Sequence, residues 1–207
     1  MLVDKPKGIT SFDVIRKLRK RFGVRKMGHA GTLDPLATGL LIVGVGSCTK
    51  KLHQYIGLPK TYEVEVLLGR KTTTGDMEGG VVEQAKVPPL DRKEVLRVLE
   101  AMCGTLPLPV PLYSAIKREG KPLYAYARSG QAVEVPVKKM RIYRIELLDM
   151  TQDGDEVILS LRMDVGSGAY VRSIAEAIGG RLGVPATVKE LRRTRVGEFD
   201  VKDAIKI

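Results

Sequence analysis

The chain has 207 residues, and its 35 Lys and Arg against 24 Asp and Glu give a formal net charge of +11. That length suits a single domain with a proper core, and the basic excess points to a polyanionic partner. No run of about 18 apolar residues and no signal-peptide core is present, so export and membrane spanning are set aside and a cytoplasmic protein is expected. Cys48 and Cys103 are far apart with no CxxC pairing, which predicts two buried thiols and no zinc site.

In chain order, Leu2 and Val3 read as a short strand, followed by a basic turn at Lys5-Pro6-Lys7-Gly8. Thr10 and Asp13 have the spacing of a capping box, so a helix starts near Ser11. Phe12, Ile15, Leu18 and Phe22 recur along it at helical spacing, and Gly23 ends it. Its outer face carries Arg16, Lys17, Arg19, Lys20 and Arg21, a run usually solvated but here close to the most unusual stretch of the chain. That stretch is Gly28-His29-Ala30-Gly31-Thr32-Leu33-Asp34-Pro35-Leu36-Ala37-Thr38-Gly39. Its glycines permit sharp turns and close approach to a ligand, and Pro35 steers Asp34 away from helical backbone. A lone carboxylate on such a corner suits a nucleophile or base. It suits equally a turn whose aspartate caps the next helix.

Residues 40–45 form an apolar run, read as a strand buried on both faces. Residues 61–68 alternate, with Tyr62, Val64, Val66 and Leu68 on one side, and on pattern alone Tyr62 is a core tyrosine. Residues 72–80 are a polar loop holding Asp76. Asp91 caps a helix whose apolar face is Val95, Leu96, Leu99, Met102 and Cys103, which makes Cys103 a packing residue. After Pro107, Pro109 and Pro111, the cations Lys117, Arg118, Lys121, Arg128, Lys138, Lys139, Arg141 and Arg144 are interleaved with Tyr124, Tyr126 and Tyr143. Cations beside aromatics suit RNA, though a basic surface over core tyrosines has the same pattern. Two strands at 143–150 and 157–165, joined by Asp153-Gly154-Asp155, precede a break at Gly166-Ser167-Gly168. A helix face of Val171, Ile174, Ala175, Ile178 and Leu182 follows, with Tyr170 and Arg172 at the strand-to-helix junction where side chains often line sites. Residues 189–195 form a basic tail anchored by Leu191 and Val196.

Several blocks resemble the TruB family of pseudouridine synthases, of the bacterial type, and they fall in family order. They are Asp4-Lys5-Pro6-Lys7-Gly8-Ile9-Thr10-Ser11, the 28–39 stretch with Asp34 before Pro35, Lys60-Thr61-Tyr62-Glu63-Val64, Pro111-Leu112-Tyr113-Ser114-Ala115-Ile116-Lys117, Gly168-Ala169-Tyr170-Val171-Arg172-Ser173 and Leu191-Arg192-Arg193-Thr194. The resemblance implies an α+β fold: a mixed, mainly antiparallel central sheet flanked by helices and loops, with an RNA-gripping insertion at roughly 107–145. It implies Asp34 as the catalytic residue, with Tyr62 stacked on the target base and Leu191 on the base's other side. Tyr170 and Asp76 are expected to support them through hydrogen bonds. His29 is expected to help fill the place left by a flipped nucleotide. Thr73 and Gly75 depart slightly from the family pattern before Asp76. Bacterial relatives generally continue into a small PUA domain, so with the last residue at Ile207 a catalytic domain without it is expected.

Arg172 is the expected partner of Asp34, since a neighbouring guanidinium lowers an aspartate pKa by about 1–3 units. Lys5, Lys117, Arg118, Lys121, Arg192 and Arg193 are the expected contacts to the RNA backbone. Isomerising uridine consumes nothing and involves no redox step, so no cofactor and no metal are expected. The implied substrate is uridine 55 in the T-loop of tRNA, and a monomer is the default. Whether Asp34 attacks the ribose, attacks the uracil or removes a ribose proton stays open. Two other readings are a non-catalytic RNA-binding protein on the same scaffold and an aspartyl-phosphate phosphotransferase. The first does not need Asp34, Tyr62 and Arg172 together, and the second lacks an acid cluster beside Asp34.

Overall fold

The computed structural model describes residues 1–207, apart from the side chain of Asp153. Its strands are β1 (Leu2–Lys5), β2 (Met27–Ala30), β3 (Thr38–Val45), β4 (Lys60–Leu68), β5 (Arg70–Thr72), β6 (Val81–Gln84) and β7 (Gly104–Pro109). Then come β8 (Lys117–Arg118), β9 (Lys121–Pro122), β10 (Val137–Asp153), β11 (Glu156–Val165), β12 (Ala186–Val196), β13 (Phe199–Asp200) and β14 (Ile205–Lys206). The helices are α1 (Ser11–Phe22), α2 (His53–Ile56), α3 (Arg92–Ala101), α4 (Leu123–Arg128) and α5 (Val171–Arg181).

One large sheet runs in the order β14-β1-β3-β12-β4-β11-β10-β7, with β2 added to β3 and β13 to β12. Its neighbours are antiparallel except at β1–β14 and β3–β12, so the mixed, mainly antiparallel α+β architecture expected from the sequence is present. The alternation in β4 works as read. Tyr62, Val64, Val66 and Leu68 turn into the main core, which α3 and α5 cover with Val95, Leu99, Ile174 and Ile178. Strand β3 is buried on both faces, as its unbroken apolar run requires. Leu41 and Val43 meet α1, while Leu40 and Ile42 pack with Leu52 and Val196.

Helix α1 starts where the capping box places it. Thr10 accepts from the Asp13 amide, Asp13 accepts from the Thr10 amide, and Gly23 closes the helix in left-handed conformation. Its buried face is Val14, Ile15 and Leu18, each worth about 1.5–3 kcal/mol when fully buried. Phe12 and Phe22 correct the expected apolar stripe. They are 54% and 48% exposed, because positions 14, 15 and 18 already fill the stripe that faces β1 and β3.

The same correction applies to α3, where Val95, Leu99 and Met102 are buried and Leu96 is exposed. Cys103 lies just past the helix, and Cys48 lies in the 3-10 turn Gly46–Lys51. Both thiols are exposed, not buried. The sheet takes in both ends of the 107–145 stretch, since residues 107–109 belong to β7 and residues 137–145 to β10. What leaves the sheet is residues 110–136, which carry the β8–β9 hairpin and α4.

Candidate active site

Asp34 sits on the connection between β2 and β3, and it does not cap a helix, because the residues that follow are strand β3. Four separate elements fix this corner. Ser11 Oγ, at the start of α1, accepts from the Leu33 amide at 2.9 Å and donates to the Leu33 carbonyl at 3.1 Å. The Gly8 amide donates to the Pro35 carbonyl, and Lys5 Nζ reaches the same oxygen at 3.3 Å. From β12, Arg193 donates to the Gly31 carbonyl with Nη2 and to the Leu40 carbonyl with Nε. Gly39 lets β3 run against β12, for a Cβ there would lie 2.2 Å from the Arg193 carbonyl oxygen.

The carboxyl of Asp34 meets Arg172 at 2.9 Å, Oδ2 to Nη2. Arg172, in the first turn of α5, has a side chain only 7% exposed, and its other contacts hold it in place. Nη1 donates to the Thr74 carbonyl at 2.7 Å and lies 3.7 Å from Asp76 Oδ2, while Nη2 also donates to the Tyr113 carbonyl at 3.1 Å. Asp76 is buried beneath this guanidinium, accepting from Thr74 Oγ1 and from the Glu78 amide. Gly75 packs on Arg172 in left-handed conformation, which accounts for a glycine at that departure from the family pattern.

Asp34 opens on a cleft of about 440 Å³, within the usual range for ligand sites. Tyr62, Tyr170, Arg172 and Leu191 line it together with Asp34, so five of the expected residues share one cavity. Tyr113, Ser114, Ala115 and Tyr124 add a wall from the 110–136 segment. Burial pushes the Tyr170 phenol up.

Asp34 departs from the expected charge balance. Its side chain is 40% accessible, and that access is to the cleft. Burial pushes its carboxyl above the ordinary aspartate range, Arg172 pulls it back, and Asp76 pushes it up again, with a net rise. The expected lowering by Arg172 is therefore outweighed by desolvation.

Most of the other expected residues fall outside the cleft. Asp76 lies behind Arg172. His29, on β2 opposite Val43, has a buried Nδ1 without a hydrogen-bond partner among the described residues, and burial followed by Arg193 lowers its pKa. Lys5 and Arg193 depart from the expected RNA-backbone set, since both are buried and each donates to two carbonyls. Arg193 lines the cleft instead. Arg192 is half-buried and forked onto Asp4 at 3.0 and 2.8 Å. Lys117 and Arg118 are exposed on the β8–β9 hairpin, where Arg118 pairs with Glu134 at 3.1 Å and Lys121 stands 4.5 Å over the Tyr126 ring.

The sequence reading missed Lys60. It is buried in the cleft wall, donates to the Ile56 and Leu58 carbonyls at 2.6 Å each, and burial lowers its pKa to about 8. The available signal was its place two residues before Tyr62, on the same face of β4. Ser114 was missed as well. It is buried in the cleft wall, where its hydroxyl acts on the Tyr170 phenol and lowers its pKa against the larger effect of burial.

A family model for the TruB family pseudouridylate synthase N-terminal domain matches residues 19–171. A model for the tRNA pseudouridylate synthase B C-terminal domain matches residues 172–207. Among curated proteins, tRNA pseudouridine synthase B of Bacillus cereus is 45% identical over 99% of this chain and 68% of its own length. The protein of the same name from Corynebacterium efficiens is 40% identical over 100% of this chain and 70% of its own. A chain in a crystal structure of a Cbf5-Nop10-Gar1 complex superposes with a TM-score of 0.74 at 28% identity. One in an H/ACA RNP bound to a substrate RNA containing 2'-deoxyuridine gives 0.71 at 25%. This chain spans about half the length of those two, 52% and 50%.

Proposed function

Since the chain belongs to the TruB family of pseudouridylate synthases, we propose that it isomerises uridine to pseudouridine in tRNA, at uridine 55 of the T-loop, with Asp34 as the catalytic residue. The bond from ribose C1' to uracil N1 breaks, the ring turns, and C1' joins C5. The C5 proton leaves and N1 gains one, so the reaction balances with no added reactant. The observation that carries this reading is the Asp34–Arg172 pair at 2.9 Å on a cleft that Tyr62 and Leu191 also line.

The target nucleotide has to leave its stack, at a cost of a few kcal/mol. Tyr62 offers an aromatic face to the extracted base and Leu191 an aliphatic one, which offsets that cost. Arg172 orients the carboxyl. Residues 110–136, between β7 and β10, are the part that grips the loop, since Tyr113, Ser114 and Tyr124 reach the cleft.

The test is release of tritium from C5 of labelled uridine in a T-arm transcript. Wild-type protein releases it, and Asp34→Asn lowers the rate by several orders of magnitude. Equal rates from both proteins would remove Asp34 from the chemistry. Release from a transcript with uridine 55 replaced would remove the position.

A further inference from the structure

Residues 166–170 carry the chain from β11 into α5, and the turn they make presents Tyr170 and Arg172 to the cleft. Strand β10 holds that turn by three bonds. The Gly166 amide donates to the Arg141 carbonyl at 2.8 Å, Lys138 Nζ donates to the Gly168 carbonyl at 2.9 Å, and the Tyr170 amide donates to Met140 Sδ at 3.3 Å. The last is the unusual one, because a thioether is a weak acceptor.

Its use follows from how α5 begins. Tyr170 is the N-cap residue, in extended backbone, and its own side chain caps nothing. In a capping box the N-cap amide is taken by the side chain three residues on, as Asp13 takes the Thr10 amide at 2.8 Å in α1. The equivalent residue in α5 is Ser173, and its hydroxyl donates instead to the Pro109 carbonyl at 2.6 Å. The Tyr170 amide is left to the sulfur. Met140 is 1% exposed and firmly seated: it lies opposite Leu106 of β7 and packs with Val110 and Leu123 from the 110–136 segment. The same side chain packs against Ala169 and Tyr170, so it touches two of the segments that wall the cleft.

Arg172 comes two residues after Tyr170, in the first turn of α5. Its guanidinium reaches Asp34, the Thr74 carbonyl and the Tyr113 carbonyl, which belong to three different parts of the chain. A shift at the start of the helix therefore stretches at least one of these contacts. We propose that Met140 is a positioning residue for the reaction: its sulfur, by taking the Tyr170 amide, fixes the start of α5 and through it the Arg172 guanidinium against Asp34. The inference rests on the isomerase reading above for its effect on rate, and it gives Met140 no contact with RNA.

The experiment compares Met140→Leu with Met140→Gln. Leucine nearly keeps the volume and removes the acceptor, whereas glutamine supplies a carbonyl oxygen at similar reach and adds a buried amide donor without a partner. A role in packing alone would rank leucine above glutamine in stability and in rate together. Positioning splits the two rankings. Met140→Leu is expected to melt close to wild type yet form pseudouridine about tenfold more slowly at saturating T-arm RNA, with KM changed less than about twofold. Met140→Gln is expected to melt earlier and to recover most of kcat. A readout without turnover is titration of the Asp34 carboxyl by 13C NMR. Arg172 pulls that carboxyl down, so it should titrate higher in Met140→Leu than in wild type and return toward wild type in Met140→Gln. Wild-type kcat and Asp34 titration in Met140→Leu, a change confined to KM, or a glutamine variant no better than leucine in either readout would each overturn the inference. If wild-type protein releases no tritium from the T-arm, the isomerase reading fails, and the Asp34 titration still decides whether Met140 places Arg172.

Discussion

Asp34 is held between opposing pulls, and their balance has a consequence for stability. Burial raises its pKa more than Arg172 lowers it, so the folded state disfavours the ionised carboxylate relative to the unfolded chain. The folded protein then binds more protons than the unfolded one between the ordinary value of 3.8 and the raised one, and stability falls as pH rises through that window. Above that window the loss is complete. Asp34→Asn is accordingly expected to unfold at higher urea than wild type at pH 7, with the advantage shrinking as pH falls toward 3.8. Arg172 stays satisfied in that variant by Asp76 and by the Thr74 and Tyr113 carbonyls. A variant that unfolds earlier than wild type at pH 7 would mean that the ion pair outweighs desolvation. At this scale the sequence was readable where one residue meets one partner through a recognisable block, as with Asp34 and Arg172. It was not readable for Lys5 and Arg193, where a cation among cations looks like surface. Only the fold shows that their donors close onto the carbonyls of Pro35, Gly31 and Leu40.

Elements that look peripheral hold the Asp34 corner. The joint between β3 and β12 is short, pairing only Thr38 with Arg192 and Gly39 with Arg193, yet it brings the Asp34 connection against the strand that carries Leu191. Gly39 makes the joint possible. Its φ of +101° is disfavoured for other residues, and any Cβ would collide with the Arg193 backbone rather than with a side chain that can move aside. Gly39→Ala is expected to destabilise the protein by several kcal/mol, combining backbone strain with a broken strand pairing. Gly8→Ala, at a positive φ with open space around it, costs about 1 kcal/mol. Similar thermal midpoints for the two variants would show that β3 and β12 part without penalty. Strand and helix positions were legible because period 2 in β4 and the capping box of α1 are local signals. Which apolar residues are buried was less legible. Phe12, Phe22 and Leu96 satisfy helical spacing, but each helix meets the sheet along a stripe too narrow to cover them.

On the scale of the whole molecule, the two matched family models divide the chain between Val171 and Arg172, and the fold does not follow that division. The boundary runs inside α5, whose Val171, Ile174 and Ile178 belong to one core with β4 and β11. It also separates Asp34 from Arg172 and Tyr62 from Leu191, so neither part holds the cleft by itself. Strand β12 stands in the middle of the sheet, between β3 and β4, and joins β1, β2, β3 and β14 to β4, β11, β10 and β7. Removing residues 172–207 would leave the inner edge of β4 and the Thr38–Gly39 end of β3 unpaired and strip α5 from the main core, exposing apolar surface on both sides. Residues 1–171 alone are therefore expected not to fold, with dispersed amide signals lost in NMR. The chain of 207 residues is expected to unfold in one cooperative step, with fluorescence and circular dichroism coincident. A folded 1–171 fragment, or two separated transitions in the full chain, would show that α5 and β12 are added to a finished domain. Their burial argues the opposite, since Ile174, Ala175, Ile178 and Val188 have no exposed surface at all. The Asp34–Arg172 pair, drawn from distant parts of the sequence, then depends on the same strand that closes the sheet, so loss of folding and loss of the cleft are one event.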